Sequence, residues 1–255
     1  MAKHALIRVY GDSLSMPRYD DGIPYEETYP ELVRDVIQRA HPSVQIHVFN
    51  RSAGAATSVS LLEQYTRDNA YFGPSQTDML VIQCGVCDCA PRPIPPNLRW
   101  ALERSPSFIR TPIVVFLHRN RARLIRGGFL FRNVQPESFK KALRSWLDAA
   151  ARDSRQVFVL NIAPTTEKIE QHSPCFMQSI TAYNQIIADV VQEAAAHNVT
   201  LLDVHSAISE SPRGKLVYIN ENDGHHLTGQ GHRLYASLLC EQEPLSLATG
   251  YGSDR

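Results

Sequence analysis

Five short apolar runs recur along the chain, each with the length of a strand buried inside a sheet. The runs are residues 5–10, 44–49, 79–84, 157–162 and 199–204. The third run is almost continuously apolar, which is typical of a strand that is covered on both faces. Between the runs, apolar residues recur every three or four positions, as they do in amphipathic helices. This alternation predicts an α/β fold in which helices cover both faces of a five-stranded parallel sheet, a three-layer α/β/α domain.

Residues that start or end helices mark the segments between the runs. The predicted helices are 27–39, a helix after Thr57, 111–126, 137–151, a helix that ends at Ala196 and a last helix after Thr228. Thr57 and Thr228 are expected to cap their helices, because a threonine hydroxyl accepts a backbone N–H of the first turn.

One segment could form either a strand or a helix, because residues 113–117 alone would pass for a strand. Thr111 as the cap, Pro112 in the first turn and the glycine pair at 127–128 favour a helix. The segment belongs to a stretch from about residue 89 to residue 136, which is longer than a plain connection between sheet elements. We predict that this stretch is an insertion with its own helix.

The length and charge of the chain limit its organisation and its partners. At 255 residues it can bury the core of one α/β domain, predicted over 1–241, followed by a polar and flexible tail over 242–255. Its 26 basic residues balance its 26 acidic residues, which argues against a nucleic-acid partner. No apolar run reaches membrane-spanning length, so no membrane partner is expected. The oligomeric state is left open.

A cytoplasmic location is predicted from the chain's start and its cysteines. The first strand begins within a few residues of Met1, which leaves no room for a signal peptide. Five cysteines are an odd number, and three of them crowd into residues 84–89. This pattern does not resemble the disulfide framework of an extracellular protein.

A serine follows the first strand directly, in the sequence Gly11-Asp12-Ser13-Leu14-Ser15. Glycine permits the tight turn that a strand needs to end there. Ligands of open α/β sheets bind at the carboxyl ends of the strands, which is where Ser13 would lie. Taken alone, the segment fits an ordinary turn equally well.

A possible partner for this serine lies near the other end of the chain. Asp223 and His226 place a carboxylate and an imidazole three residues apart, just before the last predicted helix. A serine hydroxyl becomes a nucleophile when a base takes its proton, and a carboxylate can orient that base. The sequence therefore predicts a Ser13–His226–Asp223 catalytic group, with the polar stretch 18–25 as a loop over it.

Four segments, taken together and in order, resemble the SGNH (GDSL-type) hydrolases over nearly the whole chain. They are Gly11-Asp12-Ser13-Leu14-Ser15, Asn50-Arg51-Ser52-Ala53-Gly54, Gly85-Val86-Cys87-Asp88 and Asp223-Gly224-His225-His226-Leu227. The resemblance implies the flavodoxin-like strand order 2-1-3-4-5, with Ser13 as the nucleophile. It favours His226 over its neighbour His225 as the base. It also implies a carboxylic ester of a small molecule or carbohydrate as substrate, with no cofactor.

The same resemblance implies an oxyanion hole in which the Ser13 and Gly54 backbone N–H groups are donors. The family usually supplies a third donor from an asparagine, whose place is taken here by Cys87. A thiol is only a weak donor, and losing one such donor costs an acyl-transfer enzyme on the order of 3 kcal/mol. Cys87 is therefore expected to be at best a weak third donor of the oxyanion hole. The predicted esterase activity is reduced by this substitution but not excluded.

Three classes of function follow from these residues and stay open at this point. The first is an esterase or O-deacetylase, and the second is an acyltransferase on the same scaffold. The third is a binding or redox protein that resembles this family but has lost esterase activity. The replacement of the family's asparagine by Cys87 is the feature that indicates it. The complete Ser13–His226–Asp223 set favours the first two.

Two clusters have both a functional and a purely structural interpretation. Cys84, Cys87 and Cys89 have a spacing that can bind zinc or iron, but three buried and inert thiols are favoured, so no metal is expected. The basic run comprises His118, Arg119, Arg121, Arg123 and Arg126, with Arg132 nearby. Such a run is usually a solvated helix face. If the insertion folds over the site, the run could instead bind an anionic acceptor or a substrate with a carboxylate or phosphate.

Overall fold

In a computed structural model of the protein, which describes residues 3–72 and 77–242, the five apolar runs form one sheet. The strands are β1 (Lys3–Gly11), β2 (Val44–Asn50), β3 (Thr77–Gln83), β4 (Ser154–Leu160) and β5 (Val199–Leu202). Their order is β2-β1-β3-β4-β5, and all neighbouring strands are parallel. The predicted α/β fold and strand order are confirmed.

Helices flank this sheet in two groups. In chain order they are α1 (Tyr29–Ala40), α2 (Ser58–Phe72), α3 (Val86–Cys89), α4 (Pro96–Glu103), α5 (Ser107–Arg119), α6 (Arg121–Arg126), α7 (Pro136–Asp153), α8 (Glu167–His172), α9 (Phe176–Ala194), α10 (Val204–Ser209) and α11 (Gly229–Gln242). Helices α1 and α11 pack against each other, and α7 packs against both α2 and α9. None of the helices in the described part of the chain combines the length and the apolar content needed to cross a bilayer.

The central strand β3 is buried on both faces, as its apolar run predicts. Leu80, Val81 and Ile82 each expose no more than 1% of their surface. Burying an aliphatic side chain of this size contributes about 1.5–3 kcal/mol to folding. On β1, the buried Tyr10 packs edge-to-face against Trp146 of α7, with ring centroids 5.9 Å apart. The strand ends are thus held on a closely packed core.

The register brings the carboxyl ends of the first three strands level. Gly11 pairs with Gln83, and both end their strands, while Val9 pairs with Asn50, the last residue of β2. The loops that follow these three strands therefore leave the same edge of the sheet, which is the edge where ligands bind in open α/β folds.

The turn that carries Ser13 is tied to the end of β3. The backbone N–H of Asp12 donates to Gln83 Oε1 at 3.2 Å, and the Ser15 hydroxyl donates to the same oxygen at 2.9 Å. The Asp12 carboxylate accepts the backbone N–H of Leu14 at 2.9 Å and so caps the short 3-10 turn Ser13–Ser15. These contacts leave Ser13 little freedom to move relative to the sheet.

Both predicted threonine caps are confirmed. Thr57 Oγ1 accepts the backbone N–H of Ser60 at 3.3 Å, and Thr228 Oγ1 accepts that of Gly231 at 3.1 Å. Each bond satisfies a donor in the first turn of the helix that follows, α2 or α11.

The insertion is more helical than predicted. Its segment at 111–126 is helical and not a strand, but the helix does not begin at Thr111. Helix α5 begins at Ser107, because the Pro106 carbonyl accepts the N–H groups of Ile109 and Arg110 at 3.0 and 2.9 Å and starts the helix earlier. Pro112 therefore lies inside the helix, and the segment is divided into α5 and α6, with α4 preceding them.

Other strands and helices begin or end at residues that differ from the predicted ones. Strand β5 stops at Leu202, because the Asp203 carboxylate accepts the Ser206 N–H at 2.9 Å and so caps α10. Helix α1 starts at Tyr29, since Glu27 belongs to a separate 3-10 turn. Helix α11 includes residue 242, and the rest of the predicted tail lies outside the described residues.

The close approach at Gly11 leads to a prediction about stability. A Cβ atom at Gly11 would lie 2.2 Å from Ser15 Oγ and 2.9 Å from Gln83 Oε1. We expect Gly11→Ala to lower the free energy of unfolding in urea by about 1–3 kcal/mol, the usual cost of overpacking. Gly229→Ala is the matched control, because its nearest atom would be 3.7 Å away. Equal stability of the two variants would contradict this account of the turn.

His232 of α11 leads to a prediction about pH. Its Nδ1 accepts the Tyr29 backbone N–H at 3.1 Å, and burial, together with nearby His226, lowers its pKa from 6.5 to about 4. Between those values the unfolded chain binds more protons than the folded one, so stability falls as pH falls from about 6.5 to 4.

We expect His232→Asn to weaken this pH dependence, because an amide oxygen can accept the same N–H without titrating. In the wild type, His232 should account for a fall in the free energy of unfolding on the order of 3 kcal/mol between pH 7 and 4, and the variant should lack this contribution. Urea unfolding of both proteins at the two pH values measures it. An unchanged pH dependence in the variant would show that His232 is not buried in its neutral form.

Candidate active site

The loop before α11 presents a carboxylate and an imidazole together. It is closed by an isolated bridge between Ile219 and Leu227. Asp223 Oδ1 accepts the backbone N–H groups of His225 and His226 at 3.1 and 3.0 Å, a local turn that aspartate favours. Gly224 has a positive φ of 79°, and a Cβ there would lie 2.5 Å from Thr166 Oγ1, so the turn requires glycine.

A chain of hydrogen bonds joins this loop to the turn after β1. His226 Nε2 lies 2.8 Å from Ser13 Oγ, and His226 Nδ1 lies 2.9 Å from Asp223 Oδ2. With a neutral imidazole, the Ser13 hydroxyl donates to Nε2 while Nδ1–H donates to the carboxylate. The three side chains predicted from the sequence are thus brought into contact, in the geometry that nucleophilic serine chemistry needs.

The charge of Asp223 suits this arrangement. Its partial burial would raise the pKa of the carboxyl group. The hydrogen bonds from the His226 side chain and from two backbone N–H groups outweigh burial and hold that pKa well below its usual range. Asp223 is therefore a carboxylate at neutral pH, able to stabilise a positive charge on His226.

His225 lies beside the group without joining it. Its ring centroid is 4.0 Å from that of His226, and its Nδ1 lies 3.2 Å from the Asp223 carbonyl oxygen. Burial and the neighbouring His226 lower its pKa, which favours the neutral ring. The structure thus brings His226, and not His225, to the Ser13 hydroxyl.

Arg18 is a site residue that the sequence did not single out. Its Nη2 donates to Asp223 Oδ2 at 2.9 Å, on the same oxygen that accepts from His226, and its Nε donates to Asp21 at 2.5 Å. The predicted loop over the site is therefore tied to the carboxylate by an ion pair. The contact joins positions 205 residues apart, so no local pattern could have revealed it.

The resemblance assigns two backbone N–H groups to the oxyanion hole, and neither donates to a protein acceptor within residues 3–72 and 77–242. Among the hydrogen bonds of the described residues, none uses the N–H of Ser13 or of Gly54. The Gly54 loop is fixed near Ser13 because the Ala53 N–H donates to the Gly11 carbonyl at 3.0 Å. Asn50 Nδ2 also donates to the Ser15 carbonyl at 2.9 Å and ties the loops together. The role of these two N–H groups in an oxyanion hole stays a prediction that their lack of a protein acceptor permits.

Cys87 sits at the start of the third loop, in α3. Burial raises the pKa of its thiol to about 12, so the group is a neutral thiol at physiological pH. Its backbone carbonyl accepts from Asn133 Nδ2 at 2.7 Å, which ties α3 to the insertion. The neighbouring Asp88 accepts the N–H and hydroxyl of Ser58, at 3.0 and 2.7 Å, and thereby anchors the start of α2.

The described residues offer no separate metal site. All five cysteines are free thiols, and burial raises the pKa values of Cys84 and Cys89 well above the usual range. In the part of the chain that the structure covers, one group of three possible ligands converges: Asp223, His225 and His226, within 4.8 Å of one another. Two of these are already bonded to each other next to Ser13.

Solved structures with the same fold are similar to nearly the whole chain. A lipase/acylhydrolase from Enterococcus faecalis is 17% identical, with a TM-score of 0.60 over 93% of this chain and 94% of that one. Axe2, an acetylxylan esterase from Geobacillus stearothermophilus, is 14% identical, with a TM-score of 0.60 over 100% of both chains. LAE5, an α/β hydrolase from the metagenome of Lake Arreo, is 15% identical, with a TM-score of 0.62 over 94% and 95%. No curated protein matches the sequence.

The family model for the GDSL-like lipase/acylhydrolase family matches residues 9–234. The match therefore spans the turn after β1, the loops after β2 and β3, and the loop that carries Asp223 and His226. The chain belongs to the GDSL-like lipase/acylhydrolase family and is an esterase or acylhydrolase.

Proposed function

We propose that the protein hydrolyses carboxylic esters of small molecules or carbohydrates through an acyl-enzyme on Ser13. The observation that carries this proposal is the unbroken chain of contacts from Ser13 Oγ through His226 to Asp223, at 2.8 and 2.9 Å. The similarity to Axe2, an acetylxylan esterase, supports a small acetyl ester as a substrate to test first.

In the first half of the proposed reaction, His226 Nε2 takes the proton of the Ser13 hydroxyl as Oγ attacks the ester carbonyl. The electron pair of the carbonyl moves onto its oxygen, which the N–H groups of Ser13 and Gly54 stabilise. When the intermediate collapses, the carbon–oxygen bond to the alcohol breaks, and the imidazolium returns its proton to the departing alcohol.

In the second half, water replaces the alcohol. His226 takes a proton from the water as its oxygen attacks the acyl carbon, and the proton returns to Ser13 Oγ when the carboxylic acid leaves. Asp223 remains ionised throughout and stabilises the imidazolium in both halves. An acyltransferase would differ only in the alcohol that replaces the water.

A cytoplasmic location stays a prediction. It is supported by the five free thiols, since reducing compartments keep cysteines in that form. Cell fractionation followed by immunoblotting checks it, and recovery of the protein outside the cytoplasmic fraction would refute it.

We expect a fluorophosphonate probe to label the protein once, at Ser13, and Ser13→Ala to abolish both labelling and hydrolysis of 4-nitrophenyl acetate. His226→Ala should lower kcat by several powers of ten, as the loss of a catalytic base does. His225→Ala is the matched control and should lose far less, because the His225 ring makes no hydrogen bond to Ser13. Equal losses in the two histidine variants, or labelling at another residue, would refute the assignment.

The Cys87 thiol leads to a separate prediction. If the oxyanion hole lacks a third donor, Cys87→Asn should raise kcat on a simple ester, by at most the roughly hundred- to thousandfold attributed to one donor. The gain should appear in kcat more than in KM, because the contact belongs to the transition state. Cys87→Ala is the control and should remain near wild type. A large loss of activity in both variants would instead mean that the thiol itself takes part.

A further inference from the structure

Two cavities meet at a pair of arginines next to the proposed active site. The His225 cavity, of about 280 Å³, has His225 and Cys87 in its wall, together with Arg92 and Arg121. The helix cavity, of about 300 Å³, lies between α4 and α5 in the insertion and is lined by the same two arginines. Arg92 and Arg121 therefore stand at the junction of the two cavities.

Among the residues that the structure describes, the positive charges at this junction outnumber the negative ones. Arg99 also lines the helix cavity, and Glu103, the one acidic residue in the lining of either cavity, already bonds to Arg99 at 2.8 Å. Burial, together with repulsion from Arg99, lowers the pKa of Arg92. Burial and the neighbouring arginines lower the pKa of Arg121 to about 10. Partly buried cations without a counter-ion are costly, so the fold places unfavourable charge at this junction.

The two arginines also have capacity to bind a ligand. Arg92 Nε is buried and has no hydrogen-bond acceptor within the described residues, 3–72 and 77–242. Arg121 is held in place because its Nε and Nη2 donate to Ser173 Oγ and to the Pro91 carbonyl, each at 2.5 Å. A fixed guanidinium beside an unsatisfied one is well suited to the planar, two-point binding of a carboxylate or phosphate.

The position of the pair relative to Ser13 suggests what binds there. The His225 ring lies 4.0 Å from the His226 ring, so the His225 cavity begins beside the proposed catalytic base. The wall of the same cavity also includes the apolar side chains of Val86, Ile169 and Phe176. An ester bound at Ser13 could extend along this apolar wall and end at the arginines.

We propose that the ester cleaved at Ser13 carries a second group, an oxyanion such as a carboxylate or phosphate, which Arg92 and Arg121 bind. The inference rests on the proposed function, because it names the class of substrate for that same site. It also assigns the basic run of the insertion a binding role through Arg121, while Arg119 and Arg126 lie on the exposed surface.

The test compares kcat/KM for matched anionic and neutral esters, corrected for their uncatalysed hydrolysis. On the alcohol side the anions are 4-acetoxybenzoate and 4-acetoxyphenyl phosphate, and 4-acetoxybenzamide is the neutral partner. On the acyl side, 4-nitrophenyl hydrogen adipate is compared with its methyl ester. In at least one of these two sets, we expect kcat/KM for an anionic ester to exceed that for its neutral partner by at least about tenfold. The better of the two anions on the alcohol side distinguishes carboxylate from phosphate.

The variant that tests the site is Arg92→Gln, because the Arg92 side chain forms no hydrogen bond within the described residues. Its backbone pairs with Phe131, and the substitution does not remove that pairing. We expect it to lower the ratio of anionic to neutral kcat/KM by about ten- to a hundredfold, the range for losing a hydrogen bond to a charged group. Arg119→Gln removes one charge from the exposed face of the same insertion and should leave the ratio unchanged. Absence of any preference in the wild type, or an equal ratio in Arg92→Gln, would overturn the proposal.

A binding measurement separates this proposal from the proposed function. Calorimetric titration of 4-hydroxybenzoate and of inorganic phosphate into the wild-type protein and Arg92→Gln needs no hydrolysis. If no ester is cleaved but either anion binds and binding is lost in Arg92→Gln, the anion site stands and the hydrolase proposal fails. If the neutral esters are cleaved but neither anion binds, the anion site fails and the hydrolase proposal stands.

Discussion

The hydrogen bond between His226 and Ser13 joins two residues that are 213 positions apart, and the architecture serves to keep it at 2.8 Å. On one side, Gln83 and the Asp12 carboxylate fix the Ser13 turn to the edge of the sheet. On the other side, the Asp223 turn positions the imidazole through backbone as well as side-chain contacts. Neither side is held by its own local sequence alone, since each depends on the packing of the whole sheet.

Electrostatics distinguish this site from a simple Ser-His-Asp arrangement. Arg18 shares the Asp223 oxygen that accepts from His226, so the carboxylate has two positive or polar partners instead of one. Cys87, a neutral thiol, stands where the sequence resemblance predicts an amide donor. Beyond His225, the part of the chain that the structure describes offers Arg92 and Arg121 no acidic partner in the cavity walls except Glu103, which pairs with Arg99. The charge of Arg18 is offset by Asp21 and Asp223, so the proposed preference for an anionic substrate rests on the arginines beyond His225.

Much of the fold could be predicted from the sequence because its signals are local. The five apolar runs specify buried strands, and Thr57 and Thr228 cap their helices with contacts that span three residues. The helix boundaries in the insertion were harder to predict, because Pro112 and the glycine pair at 127–128 indicate a helix but do not determine where it starts. The pairing of Ser13 with His226 was expected from their motifs. Arg18 and Arg92 were not expected, since their positions depend on contacts between distant parts of the chain.

The central claim is that an acyl group passes through Ser13, and a rapid acid quench during hydrolysis of 4-nitrophenyl acetate tests it most directly. Mass spectrometry of the digested protein should find one acetyl group on the peptide that contains Ser13, formed within the first turnover. The Ser13→Ala variant should show none. Turnover at the normal rate with acetyl on another residue, such as Cys87, would contradict the account.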